Sequence, residues 1–294
     1  MHELFSFDGI KSKEMNVKII STTGDFSRTP YSVDRSFSTD FLKDSMVSYN
    51  ELQTYRPLEF DVTFGFLDEQ NQWGDFTPTK KRQIYNWFHT NHYAEFYTYD
   101  DPGRIMYVKM TESDGLIQGG DNSARFTIKF RTNAPCFWTP LEINNYDIGK
   151  SFEQGQHSVA IPTDGEYQYE KFRELKQRLK NTTTMSTQTR TLSLFNHSNV
   201  VDIYRPVLYV TGYSDTDFEI INYSNRGKRT YLNSLKQGET VAIDNQNNAI
   251  MSSTPMRVPS KHFNYEWFEM VQGENILQIK GHVELRVVAQ YPII

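Results

Sequence analysis

The sequence predicts a mainly β protein with a few helices, arranged in two domains. Three observations predict it. Residues 58–66 alternate apolar and polar side chains strictly, the pattern of a strand with one buried face. Ile84, Trp87 and Phe88 fall at i, i+3 and i+4, one apolar stripe on a single helix. From Thr191 onward, short apolar runs are separated by turn residues at intervals that describe an antiparallel sandwich.

Size and composition set the frame for these elements. A chain of 294 residues accommodates one large or two ordinary domains. Hydrophobic residues make up 37% and aromatics 14%, so the cores are built from few, large side chains. A net charge of -5 argues against a nucleic-acid binder working through an overall basic field. Cys136 is the one cysteine, which excludes an intrachain disulfide and a cysteine-based zinc site and fits cytoplasmic synthesis. No apolar run approaches the length of a membrane span, and the first residues lack the basic and apolar regions of a secretory leader.

Taken in order, residues 3–7 and 16–20 read as short strands joined through Asp8 and Gly9, a turn-forming pair. Residues 21–46 are polar without a sustained period, as in a long surface loop or an arm. Its aromatics, Phe26, Tyr31, Phe37 and Phe41, suit an arm that packs on something. Thr77 caps the helix, with Pro78 at the first helical position. Lys80, Lys81 and Arg82 occupy its solvated side. Strands at 94–99, 104–110 and 124–131 follow, the first two linked by a turn at 100–103, and the stretch closes on residues 135–138. Polar residues 144–147 with Gly149 mark a domain boundary. Residues 166–180 read as a basic amphipathic helix, followed by a Thr-rich tail. The domains are therefore 1–143, a linker or insertion at 144–191, and a sandwich at 192–294.

The chemistry-bearing groups have ordinary readings beside the functional ones. His89 and His92 stand at i, i+3 near the helix end, but no carboxylate or cysteine lies at ligand spacing beside them. Cations at a helix C-terminus are favoured by its dipole in any case. Asp100 and Asp101 pair two carboxylates inside a turn sequence. No Gly-x-Ser-x-Gly elbow, Walker-type loop or Gly-x-Gly-x-x-Gly is present. Cys136, with no histidine near it in sequence, reads as an inert thiol. Tyr265, Trp267 and Phe268 suit either a sugar-stacking platform or a core anchor. No cofactor or metal is called for, and nothing supports an enzyme. The rivals kept open are a carbohydrate-binding module using Tyr265, Trp267 or Phe268, and a hydrolase using Asp100, Asp101 or His92.

Several short motifs in one order resemble the distal tail proteins of tailed bacteriophages, above all those of Gram-positive hosts. They are Phe7-Asp8-Gly9 near the start, Ile84-Tyr85-Asn86-Trp87-Phe88 ending the helix, and Asp100-Asp101-Pro102 before Tyr107-Val108. Residues 124–130 with Asn133-Ala134-Pro135 resemble the last strand of the family's N-terminal domain. Residues 238–244 and 272–279 resemble its galectin-like sandwich. The resemblance implies an N-terminal ring-forming domain, sandwich-like with one packed helix, that assembles as a homohexamer at the tip of the tail tube. Ile84, Trp87, Phe88, Phe26 and Tyr31 become candidates for packing or interface in that ring. The implied partners are further copies of the chain, the tail tube protein, the tail-tip hub protein and receptor-binding proteins. The bore would pass the tape measure and DNA, with no sequence-specific nucleic-acid binding, and the charge of -5 suits a bore that is not basic. The implied location is the virion tail tip, after synthesis in the host cytoplasm.

Overall fold

The alternation in Glu59–Phe66 becomes a central strand, with Phe60, Val62 and Phe64 buried and Asp61 and Thr63 less so. In the computed structural model, which describes residues 4–26, 35–41, 48–66, 77–113, 117–118, 124–149 and 189–294, this strand lies between Val17–Gly24 and Ala124–Thr132. The antiparallel order continues through Asp101–Ser113, Ala94–Thr98 and Phe5–Phe7 to Ile10–Lys11. The rings of Phe5 and Phe64 are 5.1 Å apart although three strands separate theirs. At about 4.8 Å per strand, a flat sheet would hold those two strands roughly 19 Å apart. The sheet is therefore rolled. Bulges at Ile19/Ser21, Phe96/Thr98 and Lys129/Phe130 add local twist. The sandwich-like packing expected of the first half thus comes from one sheet facing itself.

The helix Pro78–Phe88 fills the roll. Thr77 accepts a hydrogen bond from the Lys80 N–H at 3.3 Å, and Pro78 begins the first turn, where a missing N–H is harmless. Ile84, Trp87 and Phe88 join the core formed by Phe5, Phe7, Phe64, Phe126 and Phe130. The Trp87 indole N–H donates to the Phe7 carbonyl at 3.0 Å, so the helix is pinned to a strand end as well as packed. Each fully buried Phe here contributes about 1.5–3 kcal/mol by transfer from water.

Pairing departs from the sequence reading in three places. Asp8 and Gly9 have φ of 51° and 75°, the two left-handed positions of a tight hairpin turn. They join Phe5–Phe7 to Ile10–Lys11, whereas Val17–Gly24 crosses to the far edge and pairs with Glu59–Phe66. Thr98 faces Asp101, so the next turn is centred on Tyr99 and Asp100, and Pro102 and Gly103 belong to the strand. Arg35–Phe41, within the supposed loop, pairs with Ser48–Tyr55, just after it, as a hairpin. Both strands are polar at most positions, which is why no hydrophobic period marks them.

Leu141–Tyr291 forms a second unit, while Met1–Pro140 and Pro292–Ile294 form the first. Five strands, Glu142–Ile148, Val283–Ala289, Val207–Gly212, Thr240–Asp244 and Ala249–Ser252, make one of its sheets in that order. Thr189–Asn196, Gly273–Lys280, Thr216–Asn222 and Lys228–Leu235 make the other. Leu208, Val210, Val283 and Leu285 from the first meet Leu192, Phe218, Ile220 and Leu277 from the second in one core. The stretch read as a boundary is thus the edge strand Glu142–Ile148, and the chain leaves the first unit at Pro140. At the other end, Pro292–Ile293 pairs with Phe137–Trp138 inside the first unit. The helix expected over 166–180 and its Thr-rich tail lie outside the described residues.

Candidate assembly and ligand-binding surfaces

The helical stripe does not reach the surface. Ile84, Trp87 and Phe88 are 3%, 6% and 0% exposed, so they pack their own unit and leave no area for a neighbouring subunit. Phe26 is half-buried, its ring 5.2 Å from Phe60 and 6.0 Å from Phe96, and so packs on its own sheet. Tyr31 lies outside the described residues, as do the side chains of Phe37 and Phe41. What the helix presents outward is Tyr85, with the His89 ring stacked on it at 5.1 Å. Tyr93 and Tyr99 are exposed nearby in sequence. Tyr85 escaped notice because it sits one residue off the apolar stripe.

The aromatic trio of the second unit divides three ways. Phe268 is in the core, and Trp267 is partly buried against Phe263 at 4.9 Å. Only Tyr265 is exposed, at a φ of 58°, a conformation uncommon for a bulky residue. Asn264 fixes the loop there, accepting from the Tyr231 N–H at 3.0 Å and donating to the Arg229 carbonyl at 2.8 Å. Tyr265 and Trp267 both pack on Phe263, and with Phe268 in the core the three rings do not form one exposed platform.

The remaining candidates are likewise separated. His89 stacks on Tyr85, whereas His92 bonds Asp8 at 2.9 Å, so the two imidazoles serve different partners. Among the described residues no three His, Cys, Asp or Glu side chains converge on a metal-sized site. Asp101 faces Arg104 at 3.6 Å on the surface. Cys136 is buried, which pushes its thiol up to about 11 and keeps it from forming a thiolate. No helix among the described residues is long and apolar enough to cross a membrane.

Comparison with known proteins accounts for this pattern of packed cores. Residues 1–134 match the family model of a phage tail protein N-terminal domain, and residues 172–289 match that of a phage tail C-terminal domain. The chain belongs to this family of phage tail proteins. Among solved structures the tail protein is similar to SPP1 Dit (gp 19.1), described as a paradigm of the hub adsorption apparatus in phages infecting Gram-positive bacteria. That likeness has 12% identity and a TM-score of 0.59, and covers 98% of each chain. The tail protein is also similar to chains of the phage P2 baseplate in its activated conformation with Ca and with Sr, at 8% identity and a TM-score of 0.44 over 98% of each chain. At 12% identity the first match establishes a shared fold. The comparison with curated proteins finds no significant match. The resemblance drawn from the order of short motifs holds for a phage tail protein in family, and for the fold of SPP1 Dit.

One half-buried group of the tail protein gives its second unit a pH dependence. Burial pushes the Glu142 carboxyl up from 4.5 to about 7. His197 Nε2 stands 3.9 Å away, and Tyr146, Tyr204 and Tyr291 also feel its charge. The folded state keeps a proton that the unfolded chain gives up. Its stabilising effect is full below about 4.5 and is lost as pH rises through about 7, a change of about 3 kcal/mol. Urea midpoints of the second unit should fall across that window, and Glu142→Gln should flatten the slope. An unchanged slope in the variant would locate the effect elsewhere.

Proposed function

We propose that the tail protein is a distal tail hub, a structural protein that joins the tail tube to the baseplate or tail tip and catalyses nothing. The observation that carries this reading is the correspondence with SPP1 Dit over 98% of both chains, spanning both units in one order. In this reading the first unit closes head-to-tail into a homohexameric ring, whose bore passes the tape measure and then DNA during genome ejection. Such closure needs two different surfaces on each copy. The strands Val17–Gly24 and Ile10–Lys11 end the rolled sheet at opposite edges, and Tyr85 lies on the outer side of the helix, which supplies dissimilar faces. The second unit, a galectin-like sandwich in this reading, carries receptor-binding proteins in host attachment.

Light scattering and negative-stain imaging of the purified chain test the ring. The expected result is an annulus of about 207 kDa, six copies of 34.5 kDa. Labelling of native particles should mark the distal end of the tail. Label on the head would overturn the hub reading.

A further inference from the structure

We propose that one edge of the second unit, where Met256 and Tyr265 stand out from the connection between its two sheets, docks another tail protein that offers apolar recesses. The proposal rests on the hub reading only for the partner's place in the particle. Ala249–Ser252 ends the five-stranded sheet, and Lys228–Leu235 ends the four-stranded one. The chain after Ser252 runs antiparallel along the outer side of Lys228–Leu235. Arg257 Nη2 donates to the Ser234 carbonyl at 2.6 Å, Phe263 pairs with Leu232 in an antiparallel bridge, and the Asn264 N–H donates to the Tyr231 carbonyl at 3.1 Å. An open strand edge templates further pairing, and this one is closed. What it shows to solvent instead is a set of side chains. Met256 is fully exposed, Met251 65% and Tyr265 62% exposed, and Val258 is exposed as well.

Each protruding residue is fixed by the one beside it. Met256 and Tyr265 have φ of 61° and 58°, left-handed backbone that bulky side chains seldom adopt and that Gly or Asn fills at less cost. Next to Met256, the Arg257 guanidinium reaches inward to the buried Glu239 carboxylate at 2.6 Å. Glu239 also accepts from the Ser252 hydroxyl at 2.6 Å and from the Lys236 N–H at 2.9 Å. Next to Tyr265, the Asn264 amide is bonded to the backbone of both Tyr231 and Arg229, and the buried Phe263 ring lies 5.9 Å from that of Tyr265. An inward anchor thus accompanies each outward side chain. Backbone strain maintained by surrounding bonds is characteristic of functional surfaces. A display fixed in advance also loses little conformational entropy on binding.

The chemistry of this edge selects the kind of partner. Met and Tyr are enriched at protein interfaces, Met because it adapts its shape and Tyr because it joins a rigid face to a polar tip. Such anchors bind by entering well-packed pockets, so the partner is a protein with apolar recesses. A membrane is disfavoured, because attraction to an anionic surface draws on clustered Lys and Arg. Here exposed Lys261 is offset by exposed Glu266, and Arg257 is already paired with Glu239. A second copy meeting this edge would set protruding side chains against protruding side chains, and would bury little of the roughly 800 Å² per partner that a stable contact needs.

Methionine oxidation of native particles and of the free chain, read peptide by peptide by mass spectrometry, tests the surface. In the free chain, dilute hydrogen peroxide is expected to oxidise Met251 and Met256 quickly and the buried Met106 and Met270 slowly. In particles, Met251 and Met256 should be protected at least about fivefold while the buried pair reacts as before. Irradiation of particles carrying Tyr265→benzoylphenylalanine should cross-link the chain to a different tail protein. Met256→Asp should abolish that cross-link and leave the thermal midpoint of the free chain unchanged, because the side chain lies wholly outside. The proposal is overturned if both methionines oxidise as fast in particles as in the free chain, or if the adduct joins two copies of this chain. It is equally overturned if the adduct survives Met256→Asp, or if phosphatidylglycerol vesicles protect the methionines of the free chain. The chain's position in the particle is read separately by labelling, so label at the distal end with unprotected methionines would remove this proposal and leave the hub reading intact.

Discussion

Phe88→Ala is expected to destabilise the first unit by about 3–5 kcal/mol, the range for truncating a buried aromatic side chain. Phe88 is 0% exposed. Its ring lies 4.6 to 4.9 Å from those of Trp87, Phe7 and Phe64. The rings of Phe130, Phe126 and Phe5 surround it at 6.0 to 6.3 Å. Collapse into the space left behind is restricted, because the Trp87 N–H ties the last helical turn to Phe7. Urea unfolding read by tryptophan emission in a Trp267→Phe background isolates this unit, since Trp73, Trp87 and Trp138 all fall within Met1–Pro140. With a denaturant slope of about 1–3 kcal/mol/M, the midpoint should drop by roughly 1–5 M. Tyr85→Ala, at a position 53% exposed, should change stability by no more than about 0.5 kcal/mol. Equal effects at the two sites would mean that the helix does not dock through its apolar stripe.

That contrast between neighbouring residues shows what a linear pattern can reveal. Period alone located the helix, its Thr77 cap and its buried face, because each follows from side chains within one or two turns. It also gave the strand-and-turn character of the chain after Thr191, which forms the sandwich strands from Thr189–Asn196 to Val283–Ala289. Strands at sheet edges were harder to read, since one side of an edge strand meets water and needs no apolar period. Glu142–Ile148 looked like a polar linker for this reason. Partnership was harder still. The crossing of Val17–Gly24 to Glu59–Phe66 is a contact between residues some forty positions apart, which no local signal encodes. The outer face of the five-stranded sheet is the extreme case: Tyr209, Thr240 and Glu284 each occupy an unremarkable outward position, and only register brings them together. Tyr265, Trp267 and Phe268 erred the other way, forming a cluster in sequence that folding distributes between surface and core.

In the second unit the largest loss is expected from removing the cations that surround Glu269. Its side chain is 9% exposed. Oε1 accepts from Arg205 Nε at 3.1 Å and Nη2 at 2.6 Å, and Oε2 faces Lys228 Nζ at 3.0 Å and Asn225 Nδ2 at 3.3 Å. Burial alone would raise the carboxyl, but the hydrogen bonds from Arg205 and Lys228 outweigh it and hold the group below the usual carboxylate range. Its contribution is therefore present above the unfolded pKa and lost as pH falls through the lower folded value, opposite in sign to that of Glu142. Arg205→Ala combined with Lys228→Ala leaves a withdrawn carboxylate with Asn225 alone, and should cost about 3–5 kcal/mol in urea or thermal unfolding. Adding Glu269→Gln removes the stranded charge and should recover most of that loss. A triple variant no more stable than the double would show that Arg205 and Lys228 act by packing their aliphatic stems rather than by neutralising a buried ion.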